Sequence, residues 1–426
     1  MAESKEQKQS TQVIMSPMLW FLAIFNCSLA AFFVIYEFVL RVLPSSMTGE
    51  LITAFHTDGA GIGWFSAAFL IAYSIMQIPV GVILDKYSPR VVLTFAIACC
   101  AIGSIFLAYA DHLALAFLSR FIIGFGAGFA MVGVYFLISH WFPKEYYAFM
   151  TGMVQFMASL GAILGQVPIA MLLNNYSWRS ISIVIGCIGL VMAVFYAIAI
   201  RSYPKNHVHC AKRNSTSMLR CVVDVVKMPR NWLVSSQALF TWGPMSALAS
   251  LWGIPYLESA YNLNATEASS QISACWIGFA IGSPVLGLLA KYIKSSLMLI
   301  WVPLIGMCAS IIILYVPHLS HYVVFTLLFV FGFSVGIIPL SFLQAVFINP
   351  RHLVGTVTGL VNTILILGGS LMQPLVGWIL SFESPGVAPS EYTAVAYQYA
   401  LIVLPISWLI SAILGWVIHK TDKNDV

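Results

Sequence analysis

The sequence predicts an all-α membrane protein of twelve transmembrane helices arranged as two six-helix repeats, and three observations predict it. Apolar residues make up 60% of the 426 residues and charged residues 8%, where a soluble domain carries roughly a quarter charged. The apolar residues gather into twelve runs, each near the about 20 residues that cross a bilayer as a helix. Sequence patterns recur between the first six runs and the second six at offsets of 205 and 207 residues.

The first six runs lie at about 17–42, 60–84, 90–110, 113–142, 149–173 and 180–200. The second six lie at about 232–257, 268–290, 296–316, 322–347, 355–381 and 399–418. Barrel strands would be about ten residues long and would alternate in polarity. These runs do neither, and in lipid only helices then satisfy every backbone polar group. Residues 1 to 16 are polar and mixed in charge, so the first run is expected to be a retained span, not a cleaved signal. The expected organisation is an N-terminal bundle over 1–200, a basic linker over 201–230 and a C-terminal bundle over 231–426.

This composition excludes an ordinary soluble enzyme, a disordered chain and a nucleic-acid binder. The net charge of +5 resides in short connections, where it sets orientation. Seven Lys or Arg lie between Arg201 and Arg230, and with that connection inside, 17 of 20 basic residues fall on the same side. The exceptions are Arg41, Arg120 and Arg179, while Glu50, Asp58, Asp111, Glu258, Glu267, Glu383 and Glu391 fall opposite. Both termini and the linker are therefore expected in the cytoplasm of a cell with a multi-pass inner-membrane protein. Six of the eight cysteines lie within apolar runs and two in the linker. No disulfide framework, metal site or cofactor is expected from them.

The repeat is read directly. Pro79-Val80-Gly81-Val82-Ile83-Leu84-Asp85-Lys86-Tyr87 matches Pro284-Val285-Leu286-Gly287-Leu288-Leu289-Ala290-Lys291-Tyr292 at five of nine positions. Thr151-Gly152 corresponds to Thr358-Gly359, Gly161 to Gly368 and Gln166 to Gln373, all at 207 residues. Two parallel six-helix repeats with a site between them describe one large class of transporters.

The stretch from Gly81 through Asp85, Lys86, Tyr87, Ser88 and Pro89 to Arg90 resembles the G-x-x-x-D-[RK]-x-G-x-[RK] signature of the major facilitator superfamily, with Ser88 where that family has glycine. Arg120 with Gly124, Gly126 and Gly128 is similar to the family's R-x-x-x-G-x-G pattern, and Trp178-Arg179 is also typical of it. The resemblance covers essentially the whole chain. It implies helices 1 and 4 lining a central cavity, and a cytoplasmic gate at Gly81, Asp85, Lys86 and Arg90 with Asp85 on the start of the eleventh helix. Ala290 stands at the equivalent position, so the latch is expected to be one-sided. Tyr36-Glu37 with Arg41 and Pro44 resembles a branch that includes lysosomal dipeptide transporters and phagosomal nutrient transporters. Arg41 is also placed as in organic-phosphate antiporters, although no intramembrane arginine of the second half matches it.

Glu37 is the sole carboxylate within any run, and Arg41 follows it by four residues on the same helix face. Ionisable groups in the bilayer are costly and mark pathways or partners. Glu37 is read as a substrate contact or proton site, the alternative being an ion pair reaching the outer interface. Arg120 is read as a cavity residue near Glu37 or as a donor to helix carbonyls. Tyr36 and Trp252 complete the expected substrate-binding set, and Trp242 and Tyr256 are further cavity candidates. The pairs Gly124/Gly128, Gly161/Gly165, Gly278/Gly282 and Gly332/Gly336 are expected to pack helices closely. Pro168, Pro284, Pro339 and Pro374 are expected to bend them.

The predicted function is secondary or facilitative transport of a small polar organic solute by alternating access, an amino acid or short peptide being favoured. The alternatives are an organic-anion or organic-phosphate transporter of the same fold, or a transporter-like sensor without flux. No H-E-x-x-H is present, and no enzyme is expected. The expected partners are the solute, a proton as candidate second cargo, and the lipid bilayer. The chain is expected to be monomeric.

Overall fold

The computed structural model describes residues 17–142, 144–200, 218–350, 353–384, 387 and 392–424. Among them the helices are α1 Pro17–Ser46, α2 Gly59–Lys86, α3 Pro89–Ala108, α4 Leu113–Trp141, α5 Lys144–Leu164 continued by Val167–Leu173, and α6 Trp178–Ala199. The second set is α7 Pro229–Ala247, continued by a wider π turn Leu248–Trp252 and by Gly253–Tyr261, then α8 Ala265–Leu289 and α9 Ser295–Tyr315. It ends with α10 His321–Val335 continued by Ile338–Phe347, α11 Val354–Glu383, and α12 Ala394–Ala400 continued by Val403–Asn424. Eleven of the twelve are long and apolar enough to cross a membrane. α7 completes the set as the polar one, burying Asn231, Gln237 and Thr241.

The helices run up and down, so one end of the bundle carries Arg90, Arg230, Lys291, Lys294 and Lys420, and the other carries Glu50, Asp58, Asp111, Glu258, Glu267 and Glu383. Caps concentrate at the acidic end. Asp58 accepts from the Gly61 amide at 2.8 Å to start α2, and Ser177 and Thr393 do likewise for α6 and α12. Asn264 and Glu267 form a reciprocal box at the start of α8.

Prolines shape the interior. Pro168 and Pro339 stand just after breaks in α5 and α10, whereas Pro284 and Pro374 lie in continuous helices. A proline leaves the carbonyl four residues earlier without its helical N–H, and neighbouring helices supply replacements. Pro244 frees the Phe240 carbonyl, which accepts from Ser407 at 2.8 Å. Pro44 frees the Leu40 carbonyl, and Arg120 donates to it at 2.7 Å.

The expected small-residue pairs are packing surfaces. Gly161 and Gly165 seat α5 on the α1 backbone at Ile35 and Val39, and Gly278 and Gly282 seat α8 on α10 at Phe329 and Phe333. The repeat persists in three dimensions, because Gly368 seats α11 on Leu239 of α7 as Gly161 seats α5 on α1.

Contact between the two sets of six is concentrated at the acidic end. There α2 and α11 touch backbone to backbone, since a Cβ on Gly377 would collide with the Gly59 carbonyl oxygen. Tyr392 and Ser381 add hydrogen bonds to the Gly59 and Ala60 amides. At the basic end the same helices separate: Gly81 of α2 and Gly355 and Gly359 of α11 have no neighbour within 4 Å of an added Cβ. Gly152 of α5 and Gly287 of α8 are likewise open. The bundle is thus closed at its acidic end and splayed at its basic end.

Candidate functional site

Glu37 and Arg41 lie one turn apart on α1, and both are buried, at 0% and 4% exposure. One carboxylate oxygen, Oε1, accepts from Arg41 Nε at 2.8 Å and from Nη2 at 2.5 Å. The other, Oε2, is buried with no protein partner. The Arg41 guanidinium is centred 4.5 Å from the Phe38 ring and 4.7 Å from Tyr73 of α2, cation–π contacts that add to the ion pair. Such a buried pair repays the desolvation of its charges only when its geometry is good. Removing either partner strands the other.

The cluster reaches the second half by two routes. Phe38 meets Trp276 of α8 edge to face at 5.9 Å, and Trp276 in turn meets Trp242 of α7 at 6.5 Å. One turn beyond Tyr73, Gln77 Oε1 accepts from Asn362 of α11 at 2.6 Å. Closer to the acidic end, Gln166 of α5 donates to the Ala249 carbonyl of α7 at 2.5 Å, again from one half to the other.

Not every sequence candidate joins this cluster. Arg120 is buried, but its guanidinium is committed to the Leu40 carbonyl and, at 3.4 Å, to the Arg41 carbonyl. These contacts are of the kind its carbonyl-donor reading expects. Tyr36 points away from the second half, its hydroxyl donating to the Ile185 carbonyl of α6 at 3.1 Å. Its hydroxyl is thus engaged on α6 while Glu37 and Arg41 pair with each other, since adjacent positions on a helix diverge by about 100°. Trp252 is fully buried and donates to the Gln373 carbonyl of α11 at 2.9 Å, a contact between α7 and α11 at the closed acidic end. Tyr256 is similarly committed to the Ile313 carbonyl at 2.8 Å. Arg90 donates to the Ile200 carbonyl at 2.6 Å and to that of Ile198, tying α3 to the end of α6. Gly81 faces open space, and the side chains of Asp85 and Lys86 lie outside the described residues.

Sequence reasoning missed Tyr73, Gln77, Trp276 and Asn362. Gln77 and Asn362 had a signal, as amides in apolar runs. The aromatic residues had none, because an aromatic in a span is ordinarily lipid-facing.

Twelve helices in two repeats, closed at one end and open at the other around a buried ion pair, define a polytopic membrane transporter. The Major Facilitator Superfamily profile matches residues 21–373, and the chain belongs to that family, which is one of transporters and not of enzymes. The chain is 24% identical over 218 residues to "Uncharacterized transporter YybO" of Bacillus subtilis (strain 168), a match covering 51% of this chain and 48% of that one. It is 24% identical over 270 residues to "Ascorbate transporter, chloroplastic" of Arabidopsis thaliana, covering 60% and 48%. It is 22% identical over 235 residues to "Hexuronate transporter" of Bacillus subtilis (strain 168), covering 54% and 56%. The chain spans about half the length of the curated relatives it matches. Its fold is similar to that of a bacterial homologue of the human lysosomal transporter Spinster, solved inward-facing and unoccupied. The TM-score is 0.77 at 14% identity, over 95% of this chain and 98% of that one.

Proposed function

We propose that the chain moves a small zwitterionic solute, an amino acid or short peptide, by alternating access, and that Glu37 and Arg41 are its charged contacts. The observation that carries this reading is Glu37 Oε2, a fully buried carboxylate oxygen without a protein partner beside an arginine held in place by the same carboxylate. Leaving such an acceptor unpaired costs about 1–3 kcal/mol. A solute ammonium group or a proton on Glu37 removes that cost. The carboxylate of the solute would lie against Arg41, and the Phe38–Trp276–Trp242 wall would take its apolar part.

The halves that rock are 1–200 and 231–426, joined by the linker 201–230. Gly81, Asp85, Lys86 and Arg90 belong to a gate at the basic end, which is open here. By the positive-inside rule that end is cytoplasmic, which places both termini inside and makes this conformation inward-facing in an inner-membrane monomer. An impermeant thiol reagent applied outside intact cells then leaves Cys210 and Cys221 unmodified. Their efficient labelling would reverse the orientation.

A second reading, an organic anion as solute, is favoured by the two buried guanidinium groups against one carboxylate and by the names of the ascorbate and hexuronate relatives. Uptake of labelled amino acids, dipeptides and organic acids into proteoliposomes, with and without a pH gradient, separates the two. Accumulation of organic acids alone would overturn the zwitterion reading.

A further inference from the structure

Two helices are broken where the halves close, and the breaks meet. α5 is interrupted between Leu164 and Val167, and Gln166 stands in the gap, fully buried. α7 widens into the π turn Leu248–Trp252. A regular α-helix would give the Gly253 amide to the Ala249 carbonyl, four residues earlier. Here that amide goes to the Leu248 carbonyl, five residues earlier, so fully buried Ala249 loses that donor. Gln166 supplies one from the other half, its Nε2 donating to the Ala249 carbonyl at 2.5 Å. A carbonyl only accepts, which fixes the side-chain amide with its nitrogen towards α7. The first half holds Gln166 ready for this contact. Its Nε2 also reaches Ser45 Oγ at 3.2 Å, and Ser46 Oγ donates to its backbone carbonyl at 3.3 Å.

The repeat supplies an internal comparison. Gln373 of α11 corresponds to Gln166 at the 207-residue offset. It too is buried, and its Nε2 donates to a carbonyl of α7, that of Ser246, at 2.9 Å. Both glutamines leave Oε1 buried and without a protein partner, so each holds α7 through its donor alone. The difference is which half each belongs to. α11 and α7 lie in the same half, so their bond can persist when the halves part. α5 and α7 lie in different halves, so the Gln166 bond must break.

We propose that Gln166 is a positioning residue of the transport cycle, the catch that couples closure of the acidic end to the π turn of α7. When the halves meet, Gln166 captures the Ala249 carbonyl and the wide turn is satisfied. When they part, α5 withdraws and the carbonyl turns to water or back to the Gly253 amide. Without the catch, closure buries an unpaired carbonyl, which is costly. Its removal therefore penalises the closed form and spares the open one. The closed-to-open ratio is expected to fall by about 5- to 150-fold. Single π turns within α-helices are frequent at functional sites, and the released carbonyl gives this one a part in the cycle.

The catch rests on the alternating-access reading, and its test needs no solute. Q166M keeps the length and most of the volume of the side chain without its donor. Q373M makes the same change in the contact within one half. Spin labels at N175C and Y322C, on exposed acidic-end positions of the two halves, are placed in the full chain with its native cysteines replaced. Their separation is read by pulsed electron paramagnetic resonance. The parent is expected to show mainly a short distance, and Q166M a long component grown at its expense. Q373M is expected to melt at a lower temperature with the parent's distances. Q166N, whose amide is one methylene too short to reach Ala249, is expected to shift the ratio in the same direction and guards against misfolding of Q166M. Distances in Q166M and Q166N unchanged from the parent's, or an equal shift in Q373M, would overturn the catch. Proteoliposome uptake by the parent alongside either of those results would leave the transport reading standing without it.

Discussion

Arg120 of α4 donates to the carbonyl of Leu40 at 2.7 Å, and Leu40 is the residue whose helical partner Pro44 removes. An arginine in a span is costly, and here it supplies the donor that Pro44 denies to a carbonyl of the helix carrying Glu37 and Arg41. The proline of α1 and the buried cation on α4 are therefore one feature.

The pair predicts a specific rescue. Arg120→Met keeps most of the volume but strands the carbonyl, at a cost of about 1–3 kcal/mol, and is expected to lower both yield and melting temperature. Adding Pro44→Ala restores a backbone N–H four residues after Leu40, and is expected to recover most of the loss in a thermal melt of the detergent-purified protein. A double variant that melts like the parent but no longer transports would mean that Arg120 contacts the solute directly.

Glu37→Gln tests the ion pair. The amide mimics the protonated acid and cannot titrate. If a proton is carried, the variant is expected to lose accumulation driven by a pH gradient while retaining some counterflow exchange. If the solute moves alone, it is expected to weaken solute binding and leave the pH profile unchanged. Uptake and pH response identical to the parent's would reduce Glu37 to a structural ion pair.

Gly377→Val tests closure at the acidic end. Its side chain would meet the Gly59 carbonyl, so the variant is expected to fold and to stay open at that end. With spin labels at N175C and Y322C it should show a longer distance than the parent, with solute uptake reduced about tenfold, since overpacking of this kind costs about 1–3 kcal/mol. A short distance in that variant would show that α2 and α11 part elsewhere.

Asp85→Asn tests the opposite gate. The basic end is open in this conformation, so the side chain of Asp85 is expected to contribute to the alternate state, where it would meet the start of α11. Transport is expected to fall by about fivefold, in line with the about 1 kcal/mol of a charge at a helix terminus, while melting temperature and membrane insertion stay as in the parent. An unchanged initial rate would remove the latch from the cycle.

By itself the sequence determined the membrane class, the twelve spans, the duplication and the pairing of Glu37 with Arg41. Each follows from local regularities: run length against bilayer thickness, offsets between copies, and the four-residue turn that puts two side chains on one face. The glycine pairs were legible for the same reason, because closely packed helices need small residues at fixed spacing. What only the tertiary structure decided is which way each side chain is spent once helices distant in sequence meet. Tyr36 adjoins Glu37 yet turns to α6, and Arg120 answers a proline 76 residues earlier. Trp252 serves the closed end, while Gln77 finds Asn362 in the other half. A buried polar group takes the partner that geometry brings within about 3 Å, and that geometry is set by the packing of all the helices together, which no single stretch of sequence encodes.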